Sequence, residues 1–592
     1  MLPDAPSIAP SAAPYEVSSG APSEAARPGG PSHTPYYLQN FERALAWLAE
    51  RYNDVLGTDE RAFLTEFRRL PTASRALLVR MLMRKGTLFR ASRLSYEEIG
   101  CPLQGAGPLV TLGWIDAEPQ LSLDELFGLA TRPELLQMFA DVSIRKDTRK
   151  SDLLLALRAT HDEARSYAGW TAYASHTSQT TDCVFRVTVA PLCERLRLMF
   201  FGNLQQDWSE FILADLGVFQ YETVAFAPSS RAFQQRADVD TYLALHACRE
   251  TLETLADGEP VDALVAAIEA IDTTNAWLET RRAKLLFRIG QHCERQQHWE
   301  AALNVYTRCP WPGARHRRMR VLERCGRFDV ALALASQAAE APESEEERQR
   351  VARMLPRLLR RLNQPVARTA SARPIERSTL VLTRPVEPFT VEYAARDHLN
   401  APQAPVHYVE NALINSLFGL LCWEPVFAAI PGAFFHPFQR GPADLHAPDF
   451  HARRAAQFSA CLAQLDSGAY RETILRHLES KAGLQSPFVF WGVLTPELVT
   501  QALDCLPAAH LKLCFERLLR DIRGNRSGLP DLVRFWPAER RYELIEVKGP
   551  GDRLQDNQIR WLEYCVHHGM PVRVLDIRWA DEAPGIEGEA AA

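Results

Sequence analysis

The segment from Gly528 to Trp579 constrains the fold more than any other part of the chain. It reads DLVRFW, a turn at WPAERR, YELIEVK, a Gly-Pro break, a helical stretch and then VRVLDIRW. Apolar runs bounded by turn residues predict strands, and the spacing of Ile559, Leu562 and Val566 predicts a helix with one buried face. We therefore expect a β-hairpin, a helix and a third strand, which together make a compact α/β unit.

Three charged residues lie on the predicted hairpin. Asp531 opens its first strand, and Glu546 and Lys548 lie near the end of the second. Because side chains alternate along a strand, Glu546 and Lys548 share a face, and Asp531 can meet them across the pair. Paired carboxylates suit Mg²⁺ or Mn²⁺, which activates water and polarises phosphate, while a lysine steadies the nucleophile or the developing charge. The alternative is an ordinary hairpin with solvent-facing charges.

Length and composition set broader bounds. A chain of 592 residues should hold several domains, and 46% hydrophobic and 24% charged residues are typical of globular protein. The net charge of −6 does not by itself indicate nucleic-acid binding, although such binding depends on local patches of positive charge. The cysteines are scattered without CxxC pairs, which favours free thiols, and we see neither a membrane-length apolar run nor a signal peptide. We expect an intracellular enzyme.

The first third of the chain is predicted to be helical after a disordered start. Residues 1–34 are rich in Pro, Ala, Ser and Gly, so we expect no packed structure there. The following helices include one with basic residues on its polar side, which suits either solvent or DNA. Two short helices further on flank the basic loop 144–150, an arrangement that suits contact with a phosphate backbone.

The middle of the chain predicts stacked helical hairpins. WEAALNVY at Trp299 is echoed by FDVALALA at Phe328. The arginines between these copies exceed what solubility needs and favour a DNA-facing surface over a solvated helix (Arg315, Arg317, Arg318, Arg320, Arg324, Arg327). A second basic cluster directly precedes the hairpin and predicts either a phosphate pocket or a solvated loop (Arg517, Arg520, Arg523, Arg526).

The hairpin in its context resembles a known nuclease signature. Pro530 precedes Asp531, a Gly-Pro follows the second strand, and the next helix carries Gln558 as a supporting residue. This arrangement is similar to the PD-(D/E)XK signature and to its VRR-NUC branch. With YYLQNFERAL, RMLMRKGTLFR…YEEI and the basic helix–loop–helix upstream, the chain from about Tyr36 to Trp579 resembles the Fanconi-associated nuclease family, in its shorter bacterial form.

The resemblance implies a multidomain, mainly α fold that ends in an α/β PD-(D/E)XK (VRR-NUC) nuclease domain. The expected parts are a disordered segment 1–34, a winged-helix-like DNA-binding domain 35–120, a SAP-like helix–loop–helix 121–165, a TPR-like helical-repeat domain 166–365, a linker 366–388, a nuclease domain 389–580 with its core at about 482–580, and a disordered tail 581–592.

The resemblance also implies functional residues beyond the hairpin. Glu410, in VENALINSLFGLL, matches an extra acidic metal ligand, although an acid favoured by a helix start is the alternative. The Val547 carbonyl matches a further metal contact. Arg523 matches a residue that holds the 5′ phosphate of a flap, in a basic pocket with Arg526 that Arg315 or Arg317 would complete.

The implied activity is 5′-flap endonuclease and 5′→3′ exonuclease action on DNA in interstrand-crosslink repair, with Mg²⁺ or Mn²⁺ as cofactor. The expected partner is structured DNA, bound by a monomer or a homodimer, in the bacterial cytoplasm at the nucleoid. We see no ubiquitin-binding finger. Rival hypotheses are cleavage of another branched DNA such as a four-way junction, cleavage of RNA, and a non-catalytic DNA-binding scaffold.

One histidine cluster stands outside these assignments. His436, His446, Asp449 and His451 crowd one segment. No pair has the regular helical spacing of a zinc enzyme, so we favour loop histidines that pack or cap over a metal site.

Overall fold

The N-terminal region packs helices against a small sheet. The computed structural model describes residues 34–140, 148–172, 182–208, 219–366, 374–385 and 390–580. The expected disordered tail 581–592, and all but the last residue of the expected disordered segment 1–34, lie outside these ranges. The first elements are α1 (Tyr36–Arg51), α2 (Thr58–Arg69), α3 (Thr72–Leu82), β1 (Leu88–Arg90), α4 (Pro102–Thr111) and β2 (Ile115–Asp116). Helix α1 buries Leu38, Phe41, Leu45 and Leu48 on one face, as an amphipathic helix does.

A SAP-like group of helices follows as an excursion from this sheet. It comprises α5 (Leu123–Leu129), α6 (Arg132–Met138), α7 (Lys150–Arg158) and α8 (Tyr167–Thr171), around a core that Val184 of the small sheet also joins. Capping boxes start α5 and α6, at Ser122 with Glu125 and at Thr131 with Glu134. Most of the basic loop 144–150 lies outside the described residues; Lys150 Nζ donates to the Ala130 carbonyl at 2.9 Å.

The chain then returns to the first sheet. Strand β3 (Val184–Val187) lies between β1 and β2 and is antiparallel to both. Helix α9 (Ala190–Phe201) joins the same core as α1 to α4. The expected boundaries at 120 and 166 therefore divide one packed unit, because β3 and α9 belong with the N-terminal helices and not with the helical repeats.

Helical hairpins form the middle of the chain. They are α10 (Arg236–Thr254), α11 (Asp262–Glu269), α12 (Ala276–Arg295), α13 (Trp299–Arg308), α14 (Ala314–Arg324), α15 (Phe328–Glu340) and α16 (Glu345–Arg361), which share one core. Gly290 lets α12 approach α13 closely, because a Cβ there would lie 2.5 Å from the Tyr306 ring. The predicted stacked helical hairpins are present.

A five-stranded mixed sheet organises the C-terminal domain. Its order is β4-β8-β7-β6-β5, with β4 at Glu376–Leu382, β5 at Val406–Tyr408, β6 at Leu532–Trp536, β7 at Arg541–Lys548 and β8 at Val572–Trp579. Strands β4, β8 and β7 run parallel, and β5, β6 and β7 pair antiparallel. The hairpin and third strand are confirmed. The expected linker 366–388 instead contains the edge strand β4, so the sheet starts well before the expected core at 482.

Helices cover both faces of this sheet. They are α17 (Val391–Leu399), α18 (Leu413–Leu421), α19 (Trp423–Val426), α20 (Ala455–Ser467), α21 (Tyr470–Ser480), α22 (Pro496–Cys505), α23 (Ala508–Arg520), α24 (Ile522–Asn525) and α25 (Asp556–His567). Helix α25 buries Trp561, Leu562 and Cys565, so its buried face is rotated from the predicted one, and Ile559 and Val566 are only half-buried.

One buried ion pair ties the helical repeats to the nuclease sheet. Arg517 on α23 is 1% exposed and donates to Glu345 of α16 at 2.5 Å. Its guanidinium lies 4.4 Å from the Trp561 ring centroid and 4.2 Å from that of Tyr564. Two exposed contacts, Arg353 with Asp556 and Arg560 with Gln349, cross the same boundary.

Two predictions about the whole chain can be compared with the described residues. The cysteines are free thiols, and most of them are buried, as expected. Among the helices of the described ranges, none is long and apolar enough to span a bilayer.

Candidate active site

The β6–β7 hairpin brings Asp531 opposite Glu546. Leu532 pairs with Ile545, so the residue before β6 lies level with Glu546 on β7. The Val547 N–H donates to Asp531 Oδ2 at 2.8 Å, which fixes the carboxylate at the end of the hairpin. The predicted meeting of the two carboxylates across the strand pair is therefore present.

Lys548 lies beside these carboxylates, on the same face of β7 as Glu546. Its Nζ is 2.7 Å from Glu546 Oε1. Asp531, Glu546 and Lys548 are 6%, 0% and 8% exposed. Among the described residues, nothing hydrogen-bonds to Glu546 Oε2. A buried carboxylate oxygen without a partner is costly, which favours a positively charged ligand at this point.

Burial and mutual repulsion disturb the ionisation of the pair. Burial, and then the Glu546 carboxylate, raise the pKa of Asp531 to about 8. Burial also raises the pKa of Glu546, and Lys548 opposes that shift. One ammonium thus faces two buried acids, and the pair is short of positive charge.

Glu410 lies at the same end of the sheet. The Val409 N–H donates to the Asp531 carbonyl at 2.8 Å, so the chain before Glu410 is bonded directly to the hairpin. Glu410 occupies the turn before α18, and its carboxylate accepts from the Tyr408 hydroxyl at 2.5 Å. Its charge is among those that raise the pKa of Asp531 and of Glu546.

Two further residues near the site were not predicted from the sequence. Tyr408 ends β5, next to β6, where its hydroxyl holds Glu410. Glu392, in the first turn of α17, adds its charge to those that raise the pKa of Glu546. Neither carries a local signal, because their proximity depends on the pairing of β5 with a strand far along the chain.

The oxygen donors fit a hard divalent cation. Within the described ranges, no three His, Cys, Asp or Glu side chains lie close enough together to hold a metal by themselves. Asp531 and Glu546 nevertheless provide two buried carboxylates, one with an unsatisfied oxygen, beside the Val547 main chain. Glu410 is the third carboxylate at this end of the sheet. Such all-oxygen sets are those that Mg²⁺ and Mn²⁺ prefer.

The predicted phosphate-binding arginines differ in their exposure and in their hydrogen-bond partners. Arg523 on α24 is exposed and lines a cavity of about 530 Å³ between the helical repeats and the nuclease domain, which Arg317 also lines. Arg315 is instead held by Glu347 at 2.5 Å, and Arg317 pairs with Glu294 at 3.2 Å. Arg526 is half-buried and donates to the Pro487 carbonyl at 2.6 Å.

Arg517 and Gln558 have structural contacts. Arg517 is buried in the ion pair with Glu345, so it does not belong to a surface phosphate pocket as expected from the basic cluster. Gln558 Oε1 accepts from the Gln555 N–H at 2.9 Å and caps α25.

The histidines form no shared site in the described residues. His436 is buried, its ring is stacked at 5.4 Å on Phe200, and its Nδ1 accepts from the Phe438 N–H. Burial lowers the pKa of His436 to about 3, so its imidazole ring is neutral and contributes to core packing. His446 and His451 are exposed and line the cavity that contains Arg523.

Comparison with protein families agrees with this arrangement. Residues 465–579 match the VRR-NUC domain, residues 35–116 match the helix–turn–helix domain described as FAN1, HTH domain, and residues 120–170 match the Fanconi anemia-associated nuclease SAP domain. Together with the hairpin cluster, these matches define a multidomain, divalent-metal-dependent DNA nuclease.

Whole-chain relatives identify the family. The Fanconi-associated nuclease 1 homolog of Pseudomonas aeruginosa is 55% identical over 92% of this chain and 96% of its own length. The chain belongs to the Fanconi-associated nuclease family. Human Fanconi-associated nuclease 1 is 24% identical over 93% of the chain, which spans 63% of that protein. A crystal structure of paFAN1 bound to 2nt 5′-flap DNA with gap matches with a TM-score of 0.84 and 55% identity, covering 93% of this chain and 99% of that one.

Proposed function

We propose that the chain is a 5′-flap endonuclease and 5′→3′ exonuclease that acts in interstrand-crosslink repair in the bacterial cytoplasm, at the nucleoid. One observation carries the proposal: the buried Asp531–Glu546–Lys548 cluster lies in a chain whose fold matches that of paFAN1 bound to 5′-flap DNA. A non-catalytic scaffold has no need of two buried acids, which cost stability without a cation.

Glu410, Asp531, Glu546 and the Val547 carbonyl are the residues that would hold Mg²⁺ or Mn²⁺. When bound there, such a cation would lower the pKa of a water molecule and polarise the scissile phosphate. The chain's own contribution is to fix these donors: the Val547 N–H orients Asp531, and the Tyr408 hydroxyl orients Glu410. Lys548, held at Glu546, stabilises the attacking water or the negative charge that develops on the phosphate.

Arg523 is the residue that we assign to the 5′ phosphate of a flap. It is exposed in the cavity between the two domains, where a charged, bidentate donor can reach a phosphate. Arg317 lines the same cavity but shares its charge with Glu294, so we give it a secondary role. Arg315 and Arg526 do not line this cavity, and we assign them structural roles through the Glu347 carboxylate and the Pro487 carbonyl.

A substrate panel tests the proposed function. Purified protein with Mn²⁺ would be given a 5′-flap duplex, a 3′-flap duplex, a four-way junction and an RNA of matched sequence. We expect the 5′-flap to be cut at least about tenfold faster than the others, a difference of about 1.4 kcal/mol in transition-state stabilisation. Faster cutting of the junction or of RNA would replace the proposal by one of these rivals. Sedimentation with the flap duplex distinguishes a monomer from a homodimer on DNA.

Metal binding should depend on pH through Asp531. With a pKa of about 8 the carboxyl is largely protonated at pH 6, so a cation must displace the proton. We expect Mn²⁺ affinity, measured by calorimetry, to rise roughly tenfold per pH unit from 6 to 8 and then level off. The folded protein binds this proton more tightly than the unfolded chain, so without metal stability should fall as pH rises from about 4 to 8. A constant Mn²⁺ affinity between pH 6 and pH 8 would contradict the proposed role of the Asp531 proton in metal binding.

Replacing Tyr408 by Phe should weaken metal binding without removing a ligand. The change deletes the hydroxyl that holds Glu410 and leaves the ring packed near Tyr393. Loss of a group that orients a metal ligand costs about 10- to 100-fold in affinity or activity. Calorimetric titration with Mn²⁺ gives the affinity, and Tyr393→Phe is the matched control. Unchanged Mn²⁺ affinity would show that Tyr408 does not position Glu410.

A further inference from the structure

A second cavity adjoins the one that contains Arg523. It has a volume of about 450 Å³, within the range of about 300–1,000 Å³ that is usual for small-molecule sites. Residues of α12 form one wall, among them Trp277, Arg281 and Lys284. Trp311 and His446 line both cavities, so the two form one continuous groove.

Arg281 is a cation in this wall that pairs with no acid among the described residues. Its guanidinium lies 4.2 Å from the Trp277 ring centroid and 4.8 Å from that of Tyr242, and it donates to the Gly202 carbonyl. Its Nε is inaccessible and has no hydrogen-bond partner among the described residues. Burial, with Arg249 nearby, lowers the pKa of Arg281. A half-buried guanidinium that no acid neutralises among the described residues favours an anionic ligand.

Lys284 follows Arg281 by one helical turn and faces the same cavity. Partial burial of the Lys284 side chain against the cavity wall, and then the charges of Arg281 and Arg523, lower the pKa of Lys284, so the positive charges of the two cavities are close enough to repel one another. None of these three cations forms an ion pair within the described part of the chain. Most other arginines of the helical repeats are paired, for example Arg308 with Glu269 and Arg327 with Glu300.

The acids on the cavity wall leave this positive charge largely uncompensated. Asp444 is bound by Arg453 and Arg454, and Asp238 accepts from the main-chain N–H of Gln234. Asp449 is the remaining acid, and it is exposed. The wall therefore favours a ligand with phosphate groups.

Trp311 supplies a surface for a nucleobase. It is partly exposed at the junction of the two cavities, and Lys284 Nζ lies 5.8 Å from its ring centroid. Aromatic rings alternating with cations along a groove are how proteins bind single-stranded nucleic acid, because each base can stack while each phosphate is neutralised. A mononucleotide or dinucleotide matches the volume and this chemistry.

We propose that this cavity binds the 5′-terminal nucleotides of flaps longer than one nucleotide, with Trp311 stacking a base and with Lys284 and Arg281 binding phosphates beyond the one at Arg523. The inference rests on the proposed 5′-flap function and extends it to flap length. Short flaps end at Arg523 and do not use the cavity, whereas longer flaps continue into it.

The test is binding of gapped duplexes with 5′-phosphorylated oligo-dT flaps of 1, 4 and 8 nucleotides, measured by fluorescence anisotropy in EDTA, which prevents cleavage. The variants are Lys284→Ala and Trp311→Leu, and the matched control is Arg308→Ala, an exposed arginine outside the cavity that pairs with Glu269. We expect each variant to weaken binding of the two longer flaps about fivefold or more and to leave the shortest flap and the control near wild type. Equal effects at every flap length, or none, would overturn the proposal. Because Lys284 is exposed, Lys284→Glu keeps the test valid even if Trp311→Leu fails to fold.

A second measurement separates this proposal from the proposed function. Phosphorylated dT4 alone is titrated into the full chain, and quenching of tryptophan fluorescence is followed. Quenching that Lys284→Glu abolishes supports the cavity even if flaps are not the preferred substrate. Preferential cutting of 5′ flaps without Lys284-dependent quenching would support the proposed function and overturn the cavity assignment.

Discussion

Replacing Asp531 by Ala is expected to abolish DNA cleavage while DNA binding stays near wild type. The change removes one of the two buried carboxylates at the end of the hairpin, and with it the partner of the Val547 N–H. Loss of a metal-holding carboxylate should lower kcat by about a thousandfold or more, because neither water activation nor charge stabilisation survives. Single-turnover cleavage of a 5′-flap duplex measures kcat, and anisotropy measures binding.

The control for this change is Asp504→Ala, which removes an exposed carboxylate of the same domain that pairs with Arg471. Its activity should match that of the wild type. A fully active Asp531→Ala protein would refute the assignment of the site. Cleavage and binding that fall together would instead indicate that Asp531 is needed for the fold of the hairpin.

Replacing Arg517 by Ala is expected to cause the largest loss of stability. The change leaves the Glu345 carboxylate without its partner at the boundary of the two domains and removes the cation between the rings of Trp561 and Tyr564. Breaking a fully buried ion pair typically costs about 3–5 kcal/mol, and because the Glu345 side chain is 19% exposed we expect a loss near the lower end of that range. Urea unfolding followed by tryptophan fluorescence measures the effect, because Trp561 reports on this contact.

Arg353→Ala is the matched control for this second change. Its ion pair with Asp556 crosses the same boundary, but both side chains are about half exposed. Exposed ion pairs contribute under about 1 kcal/mol, so this variant should unfold close to wild type. Similar urea midpoints for the two variants would mean that the buried and the exposed ion pair contribute equally to stability.

Local pattern predicted the parts of the fold that depend on neighbouring residues. The β6–β7 hairpin, α25 and β8 follow each other in the chain, and their apolar spacing and turn residues are visible in the sequence. The convergence of Asp531, Glu546 and Lys548 follows from the alternation of side chains along those strands. Glu410 came instead from family resemblance, since its place in a turn bonded to Asp531 depends on β5.

Other features depend on residues far apart in the chain, and local pattern missed them. ERSTLVL in β4 is largely exposed and lacks clean alternation, and only its pairing with β8 makes it a strand. The basic cluster before the hairpin contains both an exposed Arg523 and a buried Arg517. Nothing near them in the sequence tells the two apart, because Glu345, the partner of Arg517, lies on another domain.

The excursion between β2 and β3 has a consequence for how such a chain can be altered. Ile115 pairs with Val187 and Asp116 with Arg186, so the chain leaves and re-enters the small sheet at neighbouring points. An insertion whose ends are already adjacent can be exchanged at little entropic cost in loop closure. The SAP-like helices could thus be exchanged for another module only if it also covered the sheet, because Val184 of β3 lies in their core and Arg90 of β1 pairs with Glu134 of α6.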